Sequence, residues 1–403
     1  MAVEAYKKLH TLNPGYGKTG ERLLDYVEPF LSDLKAKRIL DFGCGKGALG
    51  KRLRTLGYDV TLYDPYVEEY SAPPDGLFDL VLCTDVMEHI PKADLNSVLG
   101  YLATLSDHVL FVISLTFADA LLPDGSNAHC TIESADWWLE EIRRHFPSTQ
   151  TVQTRQASAL GAITWRPHPT ALARLTAVHE RRRRREKMKA RLLLPARAVA
   201  ARLIGFRGLA PLNDLVEGKA VAIVGNASSI CASTYGAEID AHDVVIRLNR
   251  GPIISPETSG TRTTVLASSI WVSRGNFRQK KSRLLLWLTP KRREFPLWLL
   301  KARHMGTVFP KPLYEDLSQR LGSRPSSGMM VTAATLLCNP SSVSLFGFDG
   351  FQSDSLSGIG QRHVGPHDYP AEQAYLSELA QQAPLEIRCQ GTPAPSPSPI
   401  SYH

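Results

Sequence analysis

The sequence has few cysteines and no long apolar run. Six cysteines are scattered over 403 residues with no CxxC pair, so neither a disulfide framework nor a zinc knuckle is indicated. No run of about 18 apolar residues exists, which excludes a transmembrane helix. The start, MAVEAYKKLHTLNPGYG, has no charged segment followed by an apolar core, so no signal peptide is expected. These absences predict a soluble, cytoplasmic chain with reduced thiols.

Positive charge is concentrated in one segment. Lys and Arg number 47 against 39 Asp and Glu, which gives a net charge of +8. Residues 180–208, ERRRRREKMKARLLLPARAVAARLIGFRG, hold 11 basic and 2 acidic residues, so the rest of the chain has a net charge of −1. The mixture of cations and leucines predicts a basic, partly amphipathic helix interrupted by Pro195.

Two interpretations of this basic segment stay open. It is either a solvated linker helix between two domains or a helix that adsorbs to an anionic membrane surface. In the second case each cation near the lipid contributes about 1 kcal/mol. Nucleic acid is not an expected partner, because neither flanking region shows basic residues interleaved with aromatic ones.

A glycine-rich turn follows the first strand pattern, in RILDFGCGKGALGKRL. Asp41 ends the strand, and Gly43, Gly45 and Gly47 would let the backbone approach a ligand closely. A second strand, DVTLYD, ends in Asp64, where a carboxylate can accept hydrogen bonds from ribose hydroxyls. A third strand pattern reads FDLVLCTDVMEHIP and contains Asp85.

Together these elements resemble class I S-adenosylmethionine-dependent methyltransferases, over about residues 15–160. The resemblance implies that the glycine turn holds the methionine part of the cofactor and that the acid after the second strand holds the ribose. By the same analogy Gly15, Tyr16 and Gly17 contact the cofactor. It assigns cofactor binding to Asp41, Gly43, Gly45, Gly47, Asp64 and Asp85.

The sequence departs from this family between Asp64 and Asp79. Only 14 residues separate them, where the family has a helix, a third strand and an adenine contact, so that element is shortened or missing. This leaves open the alternative that the methyltransferase half is an inactive binding or docking module. His89 and His129 are candidate bases for the methyl acceptor, although a structural role is the favoured interpretation for each. Trp137 and Trp138 are expected to pack within a helix.

Two further strand patterns each end in an asparagine. VAIVG is followed by Asn226, and DVVIRLN ends in Asn249. Amides at the ends of neighbouring strands suit the recognition of a nucleotide, although they can also cap turns. The surrounding run resembles the large sialylmotif of family-29 sialyltransferases, with YGAEID, HDVVIRLN and GTRTT. RPSSGMMVTAATLLCNPSSVSLFGFDG resembles the small sialylmotif, and HDYPAE fits the very short HxxxxE motif.

This second resemblance covers about residues 218–378 and implies a role for each matching position. Asn226 and Asn249 bind the CMP moiety. The anionic part of the donor lies against Ser326, Ser327 and Gly328. His367 is the catalytic base, because an imidazole can take the proton of an acceptor hydroxyl near neutral pH. His363 stands in for a histidine near the leaving phosphate, and Glu372 supports the structure.

The second resemblance also limits the chemistry and the compartment. No DxD motif is present and CMP is a good leaving group, so no metal is expected. Animal members have a disulfide between a cysteine of the large motif and a cysteine of the small motif. Here Cys338 matches the second position, but Val221 occupies the first, so that bridge cannot form. This agrees with a reducing cytosol. The donor sugar is a sialic acid or a related 2-keto sugar acid such as Kdo, because both carry a carboxylate beside the anomeric carbon.

The sequence therefore predicts an α/β protein with two Rossmann-like open-sheet domains joined by a basic helical linker. We expect a methyltransferase-like domain at 1–165, the linker at 166–215, a sialyltransferase-like domain at 216–390 and a disordered Pro/Ser-rich tail at 391–403. The expected protein is a bifunctional enzyme that uses S-adenosylmethionine and a CMP-sugar. Its partners would be a glycan or lipid-linked glycan acceptor and an anionic membrane surface bound through 180–208, at the inner face of the membrane.

Overall fold

The computed structural model of the chain describes residues 2–13, 15–17, 20–156, 158–290, 292, 294–353, 355–356 and 367–388. The chain divides into two compact units, residues 1–189 and 190–403, and each unit has its own β-sheet. The expected α/β fold class is confirmed. Among the described residues, no helix combines the length and apolar character needed to span a bilayer. The predicted tail at 391–403 lies outside the described residues.

The first unit contains a six-stranded sheet with helices on both faces. Its strands are β1 (Arg38–Phe42), β2 (Asp59–Tyr63), β3 (Leu80–Thr84), β4 (Val109–Ser114), β5 (Gln150–Val152) and β6 (Ala159–Ile163). Its helices are α1 (Ala2–Leu12), α2 (Leu24–Leu34), α3 (Ala48–Thr55), α4 (Lys92–Leu105), α5 (Ala135–Arg143) and the first part of α6 (Pro169–Ile204), with 3₁₀ turns at Gly20–Leu23, Glu68–Tyr70 and Met87–His89.

The strand order in this sheet is β2-β1-β3-β4-β6-β5. The first four strands are parallel, and β6 is antiparallel to both of its neighbours. β2 lies at the edge, and the described segment between β2 and β3 contains only a 3₁₀ turn. The shortened element expected between Asp64 and Asp79 is therefore confirmed. The glycine turn and Asp64 both lie at the carboxyl edge of this sheet, because they follow β1 and β2.

The second unit contains a seven-stranded sheet. Its strands are β7 (Ala220–Val224), β8 (Val244–Leu248), β9 (Val265–Ser268), β10 (Leu284–Trp287), β11 (Gly306–Val308), β12 (Ser342–Phe346) and β13 (Leu385–Arg388). Its further helices are α7 (Ala210–Val216), α8 (Gly236–Ala241), α9 (Pro256–Ser259), α10 (Arg274–Gln279), α11 (Lys311–Leu321), α12 (Ser327–Leu336) and α13 (Tyr369–Gln382), with 3₁₀ turns at Gly205–Arg207, Ser228–Ala232, Leu297–Lys301 and Arg303–Met305.

All neighbouring strands of the second sheet are parallel, in the order β11-β10-β9-β8-β7-β12-β13. Helices cover both faces, so the inner strands are mainly apolar and buried, whereas the edge strand β13 is partly exposed. The chain runs outward from β7 to β11 and then returns to place β12 on the other side of β7. The strand order therefore reverses at β7, and ligands of open α/β sheets bind in the crevice at such a reversal.

The basic segment belongs to a single long helix, α6, of 36 residues. The predicted interruption at Pro195 is wrong, since the helix continues through it. A proline inside a helix removes one backbone donor and favours a kink, but packing on either side can keep the helix intact. Leu175 packs into the core of the first unit, and Ala200 and Ile204 pack into that of the second. Tertiary burial at both ends thus offsets the local cost of the proline.

Candidate functional sites

The glycine turn between β1 and α3 holds its backbone close to two neighbouring segments. Gly43 has φ +71°, and a Cβ there would lie 2.4 Å from Val86 Cγ2. Gly45 has φ +54°, and a Cβ there would lie 2.8 Å from the Gly17 carbonyl oxygen. Both positions therefore require glycine. Gly47 is buried and directly precedes α3, so the turn ends at a helix N-terminus.

Asp64 is brought against this turn, as predicted. One carboxylate oxygen accepts a hydrogen bond from Gly45 N–H at 2.8 Å, and the other accepts from Tyr66 N–H at 2.9 Å. Burial raises the pKa of Asp64, and these two hydrogen bonds oppose the rise. Each oxygen keeps a second lone pair, so the carboxylate can still accept bonds from two ribose hydroxyls. The residues present therefore fit the methionine and ribose parts of S-adenosylmethionine.

Asp41 and Asp85, the other predicted acidic residues, have different surroundings. Asp41 is buried and accepts a hydrogen bond from Gly50 N–H at 3.0 Å, so it braces the first turn of α3. Burial raises the pKa of Asp41 to about 7. Asp85 follows β3, is exposed, and has a left-handed backbone with φ +55°.

The Gly17 carbonyl accepts from Lys46 N–H at 3.0 Å, which ties the segment before α2 to the glycine turn.

A cluster of aromatic and imidazole rings, which we call the ring cluster, lies beside the glycine turn and was not predicted. Tyr6 on α1 stacks on Tyr66 with ring centroids 5.2 Å apart, and His89 lies 5.6 Å from Tyr6 and 6.5 Å from Tyr16. The rings of His89 and His129 are 4.7 Å apart. No sequence pattern links these residues, because they come from α1, from the segment that follows it, and from the loops after β2, β3 and β4.

Burial keeps the ring cluster uncharged near neutral pH. Desolvation raises the pKa values of Tyr6 and Tyr16 and lowers that of His89 to about 3. Trp138 is fully buried, while Trp137 lies under the Lys92 ammonium at 5.4 Å from the ring centroid. This agrees with the expected packing role of the tryptophan pair.

Glu88 is fully buried next to the ring cluster. Its Oε1 accepts a hydrogen bond from Ser114 N–H at 2.9 Å, whereas no residue in the described part of the chain hydrogen-bonds to its Oε2. Burial raises the pKa of Glu88 to about 8. The sequence contained this residue in the DVMEH stretch, but nothing there indicated that it would be buried with one oxygen unpaired.

In the second unit, the two predicted asparagines lie at the carboxyl ends of neighbouring strands. Asn226 follows β7, and its Nδ2 donates to the Leu248 carbonyl at 3.2 Å. Asn249 follows β8 in a left-handed conformation, with φ +56°, and its Oδ1 accepts from Ser269 N–H at 3.0 Å. Each amide thus makes a structural hydrogen bond with one end and keeps its other polar atom for a ligand.

Ser326 and Ser327 lie at the start of α12, near these strand ends. Ser326 caps the helix by accepting from Met329 N–H at 3.2 Å. The buried Glu372 accepts from Ser326 N–H at 2.6 Å and from its hydroxyl at 2.5 Å. Ser327 Oγ lies 2.8 Å from Ser269 Oγ. Ser269, which the sequence analysis missed, therefore links Asn249 to the start of α12; it comes directly after β9, in a motif-free stretch.

His367 is half-buried and precedes α13, the helix that carries Glu372. Its Nδ1 lies 2.7 Å from the Arg324 carbonyl oxygen. A carbonyl can only accept, so Nδ1 carries the proton and Nε2 is left with a lone pair. Gly328 follows the two serines on α12 and packs against the Phe348 ring. His363 lies outside the described residues.

Cys338 is buried with a free thiol, and Val221 is buried on β7. The disulfide of the animal sialyltransferases therefore has no counterpart between these positions. Desolvation raises the pKa of the Cys338 thiol to about 11, so this sulfur is protonated near neutral pH.

Comparison with known proteins finds a similar family for part of each unit. Residues 16–165 match the family described as a methyltransferase domain, and residues 216–308 match glycosyltransferase family 29 (sialyltransferase). The CMP-N-acetylneuraminate-beta-galactosamide-alpha-2,3-sialyltransferase 1 of Gallus gallus is 27% identical over 179 residues, which cover 36% of this chain and 51% of that protein. The ubiquinone biosynthesis O-methyltransferase of Bordetella avium is 30% identical over 124 residues, or 25% of this chain and 48% of that protein.

A crystallised mammalian sialyltransferase, in complex with Gal-beta-1-3GalNAc-ortho-nitrophenol, aligns with a TM-score of 0.37 and 20% identity, covering 48% of this chain and 79% of that one. The chain spans about half the length of the curated relatives it matches. Both resemblances predicted from the sequence are confirmed. The chain therefore contains one region similar to a methyltransferase domain and one region similar to glycosyltransferase family 29, the sialyltransferase family.

Proposed function

We propose that the chain is a bifunctional enzyme that modifies glycans. The second unit would transfer a sialic acid or a related 2-keto sugar acid from a CMP donor, and the first would transfer a methyl group from S-adenosylmethionine. The observation that carries the proposal is the convergence of Asn226, Asn249 and the start of α12 at the reversal point of the second sheet, with the Nε2 lone pair of His367 available beside them.

The sugar transfer needs one base and a place for an anion. The Nε2 atom of His367 would take the proton of the acceptor hydroxyl as its oxygen attacks the anomeric carbon. The bond from that carbon to the phosphate oxygen then breaks, CMP leaves with the electron pair, and the carbon is inverted. Ser327 and Gly328 would lie against the phosphate or the sugar carboxylate, since backbone N–H groups and the helix dipole favour negative charge at a helix start. Ser326 donates both its N–H and its hydroxyl to Glu372, so it would position this helix start for the anion.

Substitution of the proposed base tests the sugar transfer. His367→Ala should lower the transfer rate by roughly 10²–10⁴-fold, the range of a general base, and should leave CMP affinity unchanged. His304→Ala, an exposed histidine of the same unit, is the matched control. Near-normal turnover in His367→Ala would remove this residue from the mechanism.

Asn226→Ala should instead weaken CMP binding, because its amide is proposed to contact CMP. Unchanged CMP affinity in this variant would mean that Asn226 only caps a turn.

A donor panel tests the substrate class. The full chain is incubated separately with CMP-sialic acid and CMP-Kdo, and both CMP release and product mass are followed. Transfer from either donor supports the proposal and names the sugar. Release of CMP from neither donor in the presence of galactose-terminated acceptors would contradict it.

In the methyltransferase unit, the glycine turn and Asp64 would hold the cofactor. The short segment after β2 leaves fewer residues to contact its adenine. Calorimetric titration with S-adenosylmethionine separates an active enzyme from the alternative, an inactive docking module. Binding that is lost in Asp64→Ala supports the active enzyme. Absence of binding at millimolar cofactor would favour the docking module and would leave the proposed sugar transfer untouched.

We also propose that α6 adsorbs to an anionic membrane surface at the inner face of the membrane, where lipid-linked acceptors would be reached. The segment 180–208 combines its excess of cations with exposed apolar side chains: Leu192 is 72% and Met188 61% exposed. Liposome flotation with and without acidic lipid tests this, with replacement of residues 181–185 by Glu as the variant. Equal partitioning in both liposomes would reduce the segment to a linker.

A further inference from the structure

Three metal-ligating side chains converge beside the ring cluster. Glu88, His89 and His129 each offer one donor atom, and these three atoms lie within 4.8 Å of one another. Glu88 and His89 are on the 3₁₀ turn after β3, and His129 is on the long loop after β4. From the sequence alone, the two histidines are only candidate bases, and no metal is expected anywhere in the chain.

Both histidines are held in the tautomer that a metal requires. His89 Nδ1 lies 2.7 Å from the Ala128 carbonyl oxygen, and His129 Nδ1 lies 2.6 Å from the Thr116 carbonyl oxygen. A carbonyl accepts only, so each Nδ1 carries the hydrogen and each Nε2 carries the lone pair. Donation from the second ring nitrogen to a backbone carbonyl is the usual arrangement around metal-ligating histidines, because it fixes the ring and raises its basicity.

The Glu88 side chain gives a second, independent indication that a ligand binds here. Its side chain is fully buried, Oε1 is held by Ser114 N–H at 2.9 Å, and Oε2 has no hydrogen-bond partner among the described residues. A buried carboxyl oxygen without a partner is costly, because its lost hydration is not replaced. One donor atom of each histidine lies within 4.8 Å of a Glu88 carboxyl oxygen, so a cation or a hydrogen-bond donor between these groups would offset that cost.

The loops that carry the three ligands are braced against each other before any ion binds. The Glu88 carbonyl accepts from the N–H groups of Cys130 and Thr131 at 2.9 and 3.0 Å, and Thr131 Oγ1 donates to the Ile90 carbonyl at 2.7 Å. Asn127 Oδ1 accepts from His129 N–H at 3.0 Å. A site whose loops are fixed in this way loses little conformational entropy when it binds an ion.

We propose that Glu88, His89 and His129 bind one divalent transition-metal ion, such as Zn²⁺ or Mn²⁺. Two imidazoles with one carboxylate suit borderline ions of this class and leave coordination positions open for an outer ligand. Ligand atoms about 2.1 Å from a tetrahedral ion are about 3.4 Å apart, so side-chain adjustments of about an ångström would close the triad. The charges of Asp85 and Asp119, which act on Glu88 and His129, add negative potential that favours a cation.

The site does not depend on the proposed methyl transfer, and its test uses metal alone. The full chain is treated with chelator, and Zn²⁺ and Mn²⁺ are titrated by calorimetry without cofactor or acceptor; Co²⁺ gives a visible d–d spectrum from the same site. We expect one ion per chain. His129→Ala and Glu88→Gln should each weaken its binding at least 100-fold and abolish the cobalt spectrum. Glu88→Gln retains the acceptor for Ser114 N–H, so it guards against a variant that fails to fold.

His145→Ala is the matched control, because this half-buried histidine of the same unit hydrogen-bonds to Asn96 at 2.9 Å, away from the triad. It should bind the ion like the wild type. Binding no tighter than millimolar in the wild type, or equal binding in all three variants, would overturn the proposal. Water or a substrate hydroxyl would then be the partner of Glu88 Oε2. Neither result bears on whether the first unit binds S-adenosylmethionine.

Discussion

The contact between Glu372 and Ser326 joins α13 to the start of α12, and its removal should loosen the proposed anion site. Both carboxylate oxygens accept from Ser326, at 2.6 and 2.5 Å. Hydrogen bonds to a charged group contribute about 1.5–3 kcal/mol each. Glu372→Gln keeps one acceptor oxygen and turns an amide N–H₂ toward the other donor. We therefore expect a loss of about 2 kcal/mol, or roughly 30-fold in the local opening equilibrium.

Hydrogen exchange of the α12 amides in the full chain measures this opening directly, because it reports local as well as global unfolding. The matched control is Glu378→Gln on the same helix, whose carboxylate forms a surface ion pair with Arg320 at 3.3 Å. Exposed pairs contribute about 0.2–1 kcal/mol, so exchange should rise less than about sixfold. Equal protection of α12 in the two variants would refute the reasoning.

A double-mutant comparison separates the energetic contributions of the two hydrogen bonds between Ser326 and Glu372. Ser326→Ala removes the hydroxyl and the cap to Met329 but leaves the backbone N–H on Glu372. When Glu372→Gln is added to Ser326→Ala, its cost should therefore fall below its cost in the wild type. Additive costs would mean that the side chains do not interact energetically.

Three further predictions concern stability and binding. The folded-state pKa of Asp41, about 7, exceeds its unfolded value of about 3.9, so this carboxyl weakens the fold increasingly as pH rises from about 4 to 7. Asp41→Asn should therefore raise the free energy of unfolding of the first unit at pH 8, by at most about 4 kcal/mol, and should not raise it at pH 4. Urea unfolding measures both values, and an equal increase at the two pH values would contradict this prediction. Gly43→Ala should abolish S-adenosylmethionine binding, whereas Gly57→Ala, which shares a positive φ but has nothing within 4 Å of its Cβ, should retain it; equal affinities would argue against steric crowding. Ser269→Ala should weaken CMP affinity by about 2–10-fold in calorimetry, the worth of one neutral hydrogen bond, and an unchanged affinity would make Ser269 purely structural.

Local patterns predicted the parts of the fold that local physics controls. The strands that end near Asp64, Asn226 and Asn249 are short apolar runs followed by turn residues, and each lies within one residue of its predicted position. The glycine turn was predictable for the same reason, because only glycine allows its backbone conformation. The shortened segment before Asp79 was visible as a simple count of residues.

Contacts between distant segments were not predictable. Tyr6 and Tyr66 stack only because α1 folds back over the sheet. No hydrophobic periodicity in the sequence predicts where that helix packs. The unpaired oxygen of Glu88 depends on which loop covers it. Continuity of α6 through Pro195 was missed because the local cost of proline was counted without the packing at the two ends of the helix. In each case tertiary burial decided the outcome.

The packing of α6 determines where this chain can be cut. Fragments divided at the limits of the expected linker, at 165 and 216, would leave out the helix and would uncover apolar surface on each unit. The first unit would lose Leu175, and the second would lose Ala200 and Ile204. Loss of a buried leucine alone removes about 1.5–3 kcal/mol of stabilisation. Separately expressed units should therefore each keep their own part of this helix, with the division near Lys189.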